Sequence, residues 1–79
     1  MTWNYRIVKI NNGNIWYGLF EVYYNDARLP YTRTKDPIGF TGDDDQDVIK
    51  AMAMAFQDAL RYDILNDDDI KDENEDGYL

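Results

Sequence analysis

Residues 2–24 read TWNYRIVKINNGNIWYGLFEVYY, and the fold follows from this stretch. Trp3, Tyr5 and Ile7 alternate with Arg6, Val8 and Ile10, a period of two that sets the two groups on opposite faces of a strand. Asn11-Asn12-Gly13-Asn14 interrupts the pattern, and an Asn-Gly pair between alternating apolar runs is a strong hairpin signal because both residues tolerate positive φ. Ile15–Tyr24 is the returning strand. It is apolar on both sides, with Trp16, Phe20, Val22 and Tyr24 on one and Ile15, Tyr17, Leu19 and Tyr23 on the other.

Outward from the hairpin, Asn25-Asp26-Ala27-Arg28 has turn chemistry. Leu29–Thr34 follows as a third strand, and Pro30 restricts it to a sheet edge or a strand start. Asp36-Pro37-Ile38-Gly39 reads as a loop. Asp43 or Asp44 then caps a helix, with Asp47 in its first turn at the positive end of the dipole. Ile49, Met52, Phe56, Ala59 and Leu60 recur at helical spacing, which predicts one apolar stripe against the sheet and a helix ending near Tyr62. Asn66–Leu79 is rich in acids with little apolar content, the composition of a flexible tail. The expected architecture is α+β: a three-stranded antiparallel sheet in β-β-β-α order with one amphipathic helix on one face. A domain over 1–64 is followed by an acidic tail over 65–79.

A helix on one face leaves the other open. The uncovered face is expected to present several of Trp3, Tyr5, Tyr17, Leu19, Tyr23 and Tyr31, or the opposite set, and such aromatic surfaces serve as interfaces. A chain of 79 residues buries only about 60% of its unfolded surface, so self-association is one route to stability. With no cysteine, neither a disulfide nor a thiolate metal site can staple it.

The net charge of −8 is unevenly placed. Residues 1–40 carry five Lys/Arg and three acids, +2; residues 41–79 carry three and thirteen, −10. The acidic half repels phosphate, which argues against direct binding to nucleic acid or an anionic membrane and for a basic protein surface as partner. The N-terminal residues lack the apolar run of a signal peptide, so a cytoplasmic location is expected.

With no histidine, the commonest general base, the commonest zinc ligand and the Ser-His and Cys-His nucleophile systems are missing. Carboxylate chemistry remains, but it needs a concave site. The reading is therefore of a non-enzymatic protein with no cofactor. Asp72-Glu73-Asn74-Glu75-Asp76-Gly77 matches the first half of a calcium-binding EF-hand loop, D-x-N-x-D-G, but no Glu follows at the twelfth position. A solvated acidic tail accounts for it as well.

Four acids among the five residues 43–47 exceed what capping requires. Together with Asp58, Asp63, Asp67, Asp68 and Asp69, the residues Asp43, Asp44, Asp45 and Asp47 form a candidate acidic ridge. Neighbouring helical carboxylates stand about 5–6 Å apart, near the spacing of nucleic-acid phosphates. The candidate partner-binding set is the eight of these other than Asp63, with Trp3, Tyr5, Tyr17 and Tyr23 as aromatic anchors.

Two motifs carry resemblances. Trp3-Asn4-Tyr5-Arg6, with Glu21-Val22-Tyr23-Tyr24 and the Gly-acid helix start, resembles a group of small bacterial and phage proteins over about residues 3–62; no site comes with it. Phe40-Thr41-Gly42-Asp43-Asp44 leading into Val48-Ile49-Lys50-Ala51 is similar to the strand-to-helix passage of HicB-type antitoxins. That likeness implies an acidic partner neutralising a basic ribonuclease and a C-terminal DNA-binding or dimerising segment, which Asn66–Leu79 does not supply. In size, charge and lack of catalytic residues the chain also resembles anti-CRISPR and other anti-defence inhibitors of phages. The expectation is a non-catalytic inhibitor that mimics nucleic acid and occupies a basic host protein. The alternative is a HicB-like antitoxin or small dimeric regulator, a homodimer through the free sheet face.

Overall fold

The computed structural model describes residues 2–70. The hairpin forms as the alternation predicts: β1 (Thr2–Asn11) pairs antiparallel with β2 (Ile15–Tyr24), from Thr2 opposite Tyr24 to Asn11 opposite Ile15. The connection is three residues long, and of these only Gly13 takes positive φ, at 107°. Asn12 stays at negative φ, so the turn is one residue longer than a two-residue Asn-Gly turn.

The third strand, β3 (Pro30–Arg33), pairs antiparallel with β2 at the sheet edge, as Pro30 requires. Its turn is organised by Asn25, whose side-chain oxygen accepts from the Ala27 and Leu29 amides at 2.9 and 3.1 Å. Beyond β3 the chain still follows β2, with the Ile38 amide donating to the Leu19 carbonyl at 2.8 Å.

The sheet itself differs from three antiparallel strands. A fourth strand, β4 (Leu65–Asn66), pairs parallel with β1, opposite Val8 and Lys9, giving the order β3-β2-β1-β4 in a curled mixed sheet. A 3-10 turn over Asp67–Asp69 follows. Residues 65–70 thus belong to the fold rather than to a tail. The cause is Leu65, a buried apolar residue inside an acidic segment, packed with Ile70 against Val8, Ile10, Phe20 and Val22.

Those core residues share the face carrying Arg6, Val8, Ile10, Phe20, Val22 and Tyr24, and the curl encloses it. The Arg33 Nε from β3 donates to Asp67 Oδ1 beyond β4 at 2.6 Å, joining the two outer strands across the concave side. Arg33 also lies over the Phe20 ring, 4.6 Å from its centroid. Gly18 makes room for this ring: a Cβ there would stand 2.7 Å from Phe20 Cε1.

The convex face takes the helix α1 (Asp45–Ala59). Asp44 caps it, accepting from the Gln46 amide at 2.9 Å, and the helix closes at Leu60. It packs through Ala55 and Ala59 onto Leu19, Tyr5, Ile7 and Phe40. The predicted stripe is therefore displaced. Ala59 is buried, but Ile49, Met52, Phe56 and Leu60 are 56%, 40%, 41% and 73% exposed. Small residues let the helix lie close to the sheet, and the large ones stand to one side. Neither sheet face is wholly open among the described residues: the helix lies across the Tyr5 and Leu19 side, where Trp3 and Tyr17 remain about half exposed, and the curl closes the other.

Candidate functional site

The eight aspartates divide by what they touch. Asp43, Asp44, Asp45 and Asp47 are exposed around the start of α1, Asp44 using one oxygen for the cap. Asp68 and Asp69 are exposed in the 3-10 turn after β4. The other two serve the fold. Asp67 is the partner of Arg33. Asp58 accepts from the Tyr5 amide at 3.2 Å, satisfying an edge N–H of β1 that the short β4 does not reach. At 1.5 Å rise per residue, Asp58 lies about 20 Å along the helix from Asp45. A ridge of eight carboxylates is not what the fold builds; it builds an acidic helix start and a smaller acidic turn.

Of the four aromatic positions, three come together. Trp3 meets Tyr5 edge-on with centroids 5.2 Å apart and lies 6.2 Å from Tyr23, with Phe40 beyond Tyr5. The Tyr23 hydroxyl donates to Glu21 Oε1 at 2.6 Å. This bond, followed by burial and the nearby carboxylate charge, pushes the phenol up to about 12. Tyr17 is separate: six residues along β2 from Tyr23, about 20 Å away at strand rise, and more than half exposed at the hairpin end beside Ile15.

The exposed helix stripe is a feature that sequence periodicity pointed to but assigned to the core. At about 100° per residue, Asp45, Ile49, Met52, Phe56 and Leu60 fall within a sector of roughly 80°, adjacent to the sector holding Val48, Ala55 and Ala59. One carboxylate heads a continuous apolar strip. Ala55 and Ala59, four residues apart, mark the line of closest approach, but the equally spaced Ala51 and Ala55 offer the same signal although Ala51 is exposed, so alanine spacing alone does not separate the two sectors.

A second feature has no local signature in the sequence. A cleft of about 530 Å³ opens at the Thr2–Tyr24 end of the hairpin, lined by Trp3, Asn4, Arg6, Tyr24, Arg28 and Tyr62 together with Thr2. Among the described residues no carboxylate lines it. Its residues are forty or more positions apart in places, and only the return of the chain through Tyr62 makes the wall.

Among the described residues no cluster of His, Cys, Asp or Glu is placed to hold a metal ion, and the Asp72–Gly77 half-motif lies outside them. No described helix is long and apolar enough to cross a membrane. Comparison with known protein families, with curated proteins and with solved structures finds no match.

Proposed function

We propose that the protein is a non-catalytic protein-binding inhibitor of the phage or mobile-element type, which docks α1 on a basic surface of a nucleic-acid-binding host protein. The observation that carries this reading is the exposed strip Ile49–Met52–Phe56–Leu60 leading away from the carboxylates at positions 43–47. The buried core is formed by other residues, and these four large apolar side chains leave 40–73% of their surface in water, an exposure that costs the free protein solubility. The acids beside them have no cation opposite: Arg33–Asp67 is the one ion pair among the described residues. Apolar anchors supply contact energy, and a negative rim supplies steering and choice of partner.

A photo-crosslinking phenylalanine at position 56 tests the reading, with position 54 as control, since Met54 is 70% exposed but off the strip. The expected outcome is a heterologous adduct from position 56 and not from 54, weakened by salt and by Asp43/Asp44/Asp45→Asn. Equal adducts at both positions, or indifference to salt and to the triple substitution, refutes it.

The same strip favours a second reading, a small dimeric regulator. There the adduct from position 56 joins two copies of this chain, and sedimentation shows a dimer that Phe56→Asp dissociates.

A further inference from the structure

We propose that the cleft at the open end of the hairpin is a small-molecule site for a phosphate joined to a planar ring, as in a nucleoside monophosphate. The inference is independent of the helix surface. Its first ground is local charge. In a chain of net charge −8, two arginines and, among the described residues, no acid line this cleft, a cationic lining on an anionic molecule.

The second ground is how the arginines are held. Arg6 projects from the concave face of β1, donating through Nη1 to the Tyr24 hydroxyl at 2.9 Å and through Nη2 to the Asp63 carbonyl at 2.7 Å, with the Tyr62 ring 5.1 Å away. Tyr24 in turn donates to Asn4 Oδ1 at 2.8 Å. The acceptor atoms are a hydroxyl and a carbonyl, and Arg6 Nε is buried without an acceptor. The guanidinium is fixed in direction, and no carboxylate among the described residues lies within ion-pair distance of it. Arg28 has no side-chain partner among the described residues and sits at φ 62°, the left-handed region that favours glycine. A strained position that keeps a cation where glycine would fit the backbone better is the pattern of a residue retained for binding.

The third ground is shape. Tyr62, about half exposed, brings an aromatic ring to the cleft, and Trp3, whose ring packs with Tyr5 and Tyr23 on the other face of β1, borders it at the strand end. Flat rings take a base by stacking, and guanidinium forks match phosphate oxygens. The volume lies inside the range of small-ligand sites, roughly 300–1,000 Å³.

The test is an NMR titration of the full chain with AMP, adenosine and inorganic phosphate, read at the two indole N–H signals. Trp3 reports the cleft, and Trp16, at the far end of the hairpin, is the internal control. AMP is expected to shift Trp3 saturably and leave Trp16 in place, with adenosine and phosphate each binding at least about tenfold more weakly. Arg28→Gly is the decisive variant, because it relieves the backbone as it removes the charge. It should melt no lower than the parent protein yet bind AMP at least about tenfold more weakly, the loss of one charge-assisted hydrogen bond. The proposal is overturned if AMP leaves Trp3 unmoved into the millimolar range, if phosphate alone binds as well as AMP, or if Arg28→Gly binds AMP as the parent does.

Discussion

Asp67→Asn should open the curl of the sheet. Arg33 and Asp67 lie beyond opposite edges, on β3 and after β4, and their 2.6 Å contact crosses the concave side over the Phe20 ring. The Arg33 side chain is 4% exposed and that of Asp67 is 23% exposed. Breaking one partner of a fully buried pair costs about 3–5 kcal/mol. Two facts lower the figure here: Asp67 is partly wet, and Arg33 keeps its Nη1 bonds to the Thr34 and Lys35 carbonyls at 2.8 and 3.0 Å. Asparagine also retains an acceptor oxygen, so about 2 kcal/mol is expected. A domain of this size has on the order of 4–12 kcal/mol in total, and the melting temperature should fall by roughly 8–16 °C. Urea unfolding at unchanged m-value gives the loss, and amide exchange should quicken first along β4, whose two-residue ladder has little else to hold it. Arg33→Met with Asp67→Asn removes both halves of the pair and should cost less than the two single losses added together. A single variant within about 0.5 kcal/mol of the parent, or a double variant that sums its parts, would show that the pair does not close the sheet.

Gly18→Ala drives a Cβ to 2.7 Å from Phe20 in a ring-filled core, and thermal unfolding should show a loss of about 1–3 kcal/mol from overpacking. Glu21→Gln keeps an acceptor for the Tyr23 hydroxyl but removes the negative charge, so phenolate absorbance should show Tyr23 titrating nearer its ordinary 10 than about 12. The sign follows from the raised value. With Tyr23 neutral in the fold and ionising near 10 when unfolded, its contribution is complete below pH 10 and lost as the pH climbs toward 12, a window that should narrow in the variant. Ala55→Leu forces the helix off Leu19 and should cost about 1–3 kcal/mol, whereas Phe56→Ser, at a side chain already 41% exposed, should cost less, on the order of 1 kcal/mol. The reverse order would put Phe56 on the sheet.

The hairpin and the helix were legible because each depends on local periodicity. The β1–β2 register, the edge position of Pro30 and the Asp44 cap all follow from neighbours a few residues apart. What was not legible depends on distance in the chain. Leu65 looks like a stray apolar residue until Val8 and Ile10 are seen to need cover, and Arg33 looks like a surface cation until Asp67 reaches it from 34 positions away. Periodicity also counts apolar residues without weighing their size. It grouped Ile49, Met52, Phe56 and Ala59 on one face, while close packing selected the alanines and excluded the rest. The acidic ridge failed for a similar reason: Asp58 and Asp67 are indistinguishable in sequence from Asp43 and Asp68, and only the unpaired Tyr5 amide and the buried Arg33 claim them. The cleft was invisible because its cationic wall joins β1, the turn at Arg28 and the segment after α1.

The division of labour among apolar residues bears on what the helix is for. The inner core, Val8, Ile10, Phe20, Val22 and Leu65, is sealed by sheet curvature, Arg33 and the chain beyond β4. The helix adds cover for Leu19, Tyr5 and Ile7 through two alanines, a task that needs none of Ile49, Met52, Phe56 or Leu60. The four side chains are 40–73% exposed, about half of their surface in all, so burying the remainder against a partner is worth roughly 3–6 kcal/mol. Association itself costs an estimated 4–15 kcal/mol, so the apolar strip alone supports at most a weak complex. Something must supply the difference, and the uncompensated carboxylates at positions 43–47, beginning one helical turn before Ile49, are the nearest candidates. A partner that satisfied only the apolar strip would leave them facing a neutral surface at a desolvation penalty. The chemistry of this helix therefore favours a cationic, apolar-centred groove over an oily surface or a bare polybasic one.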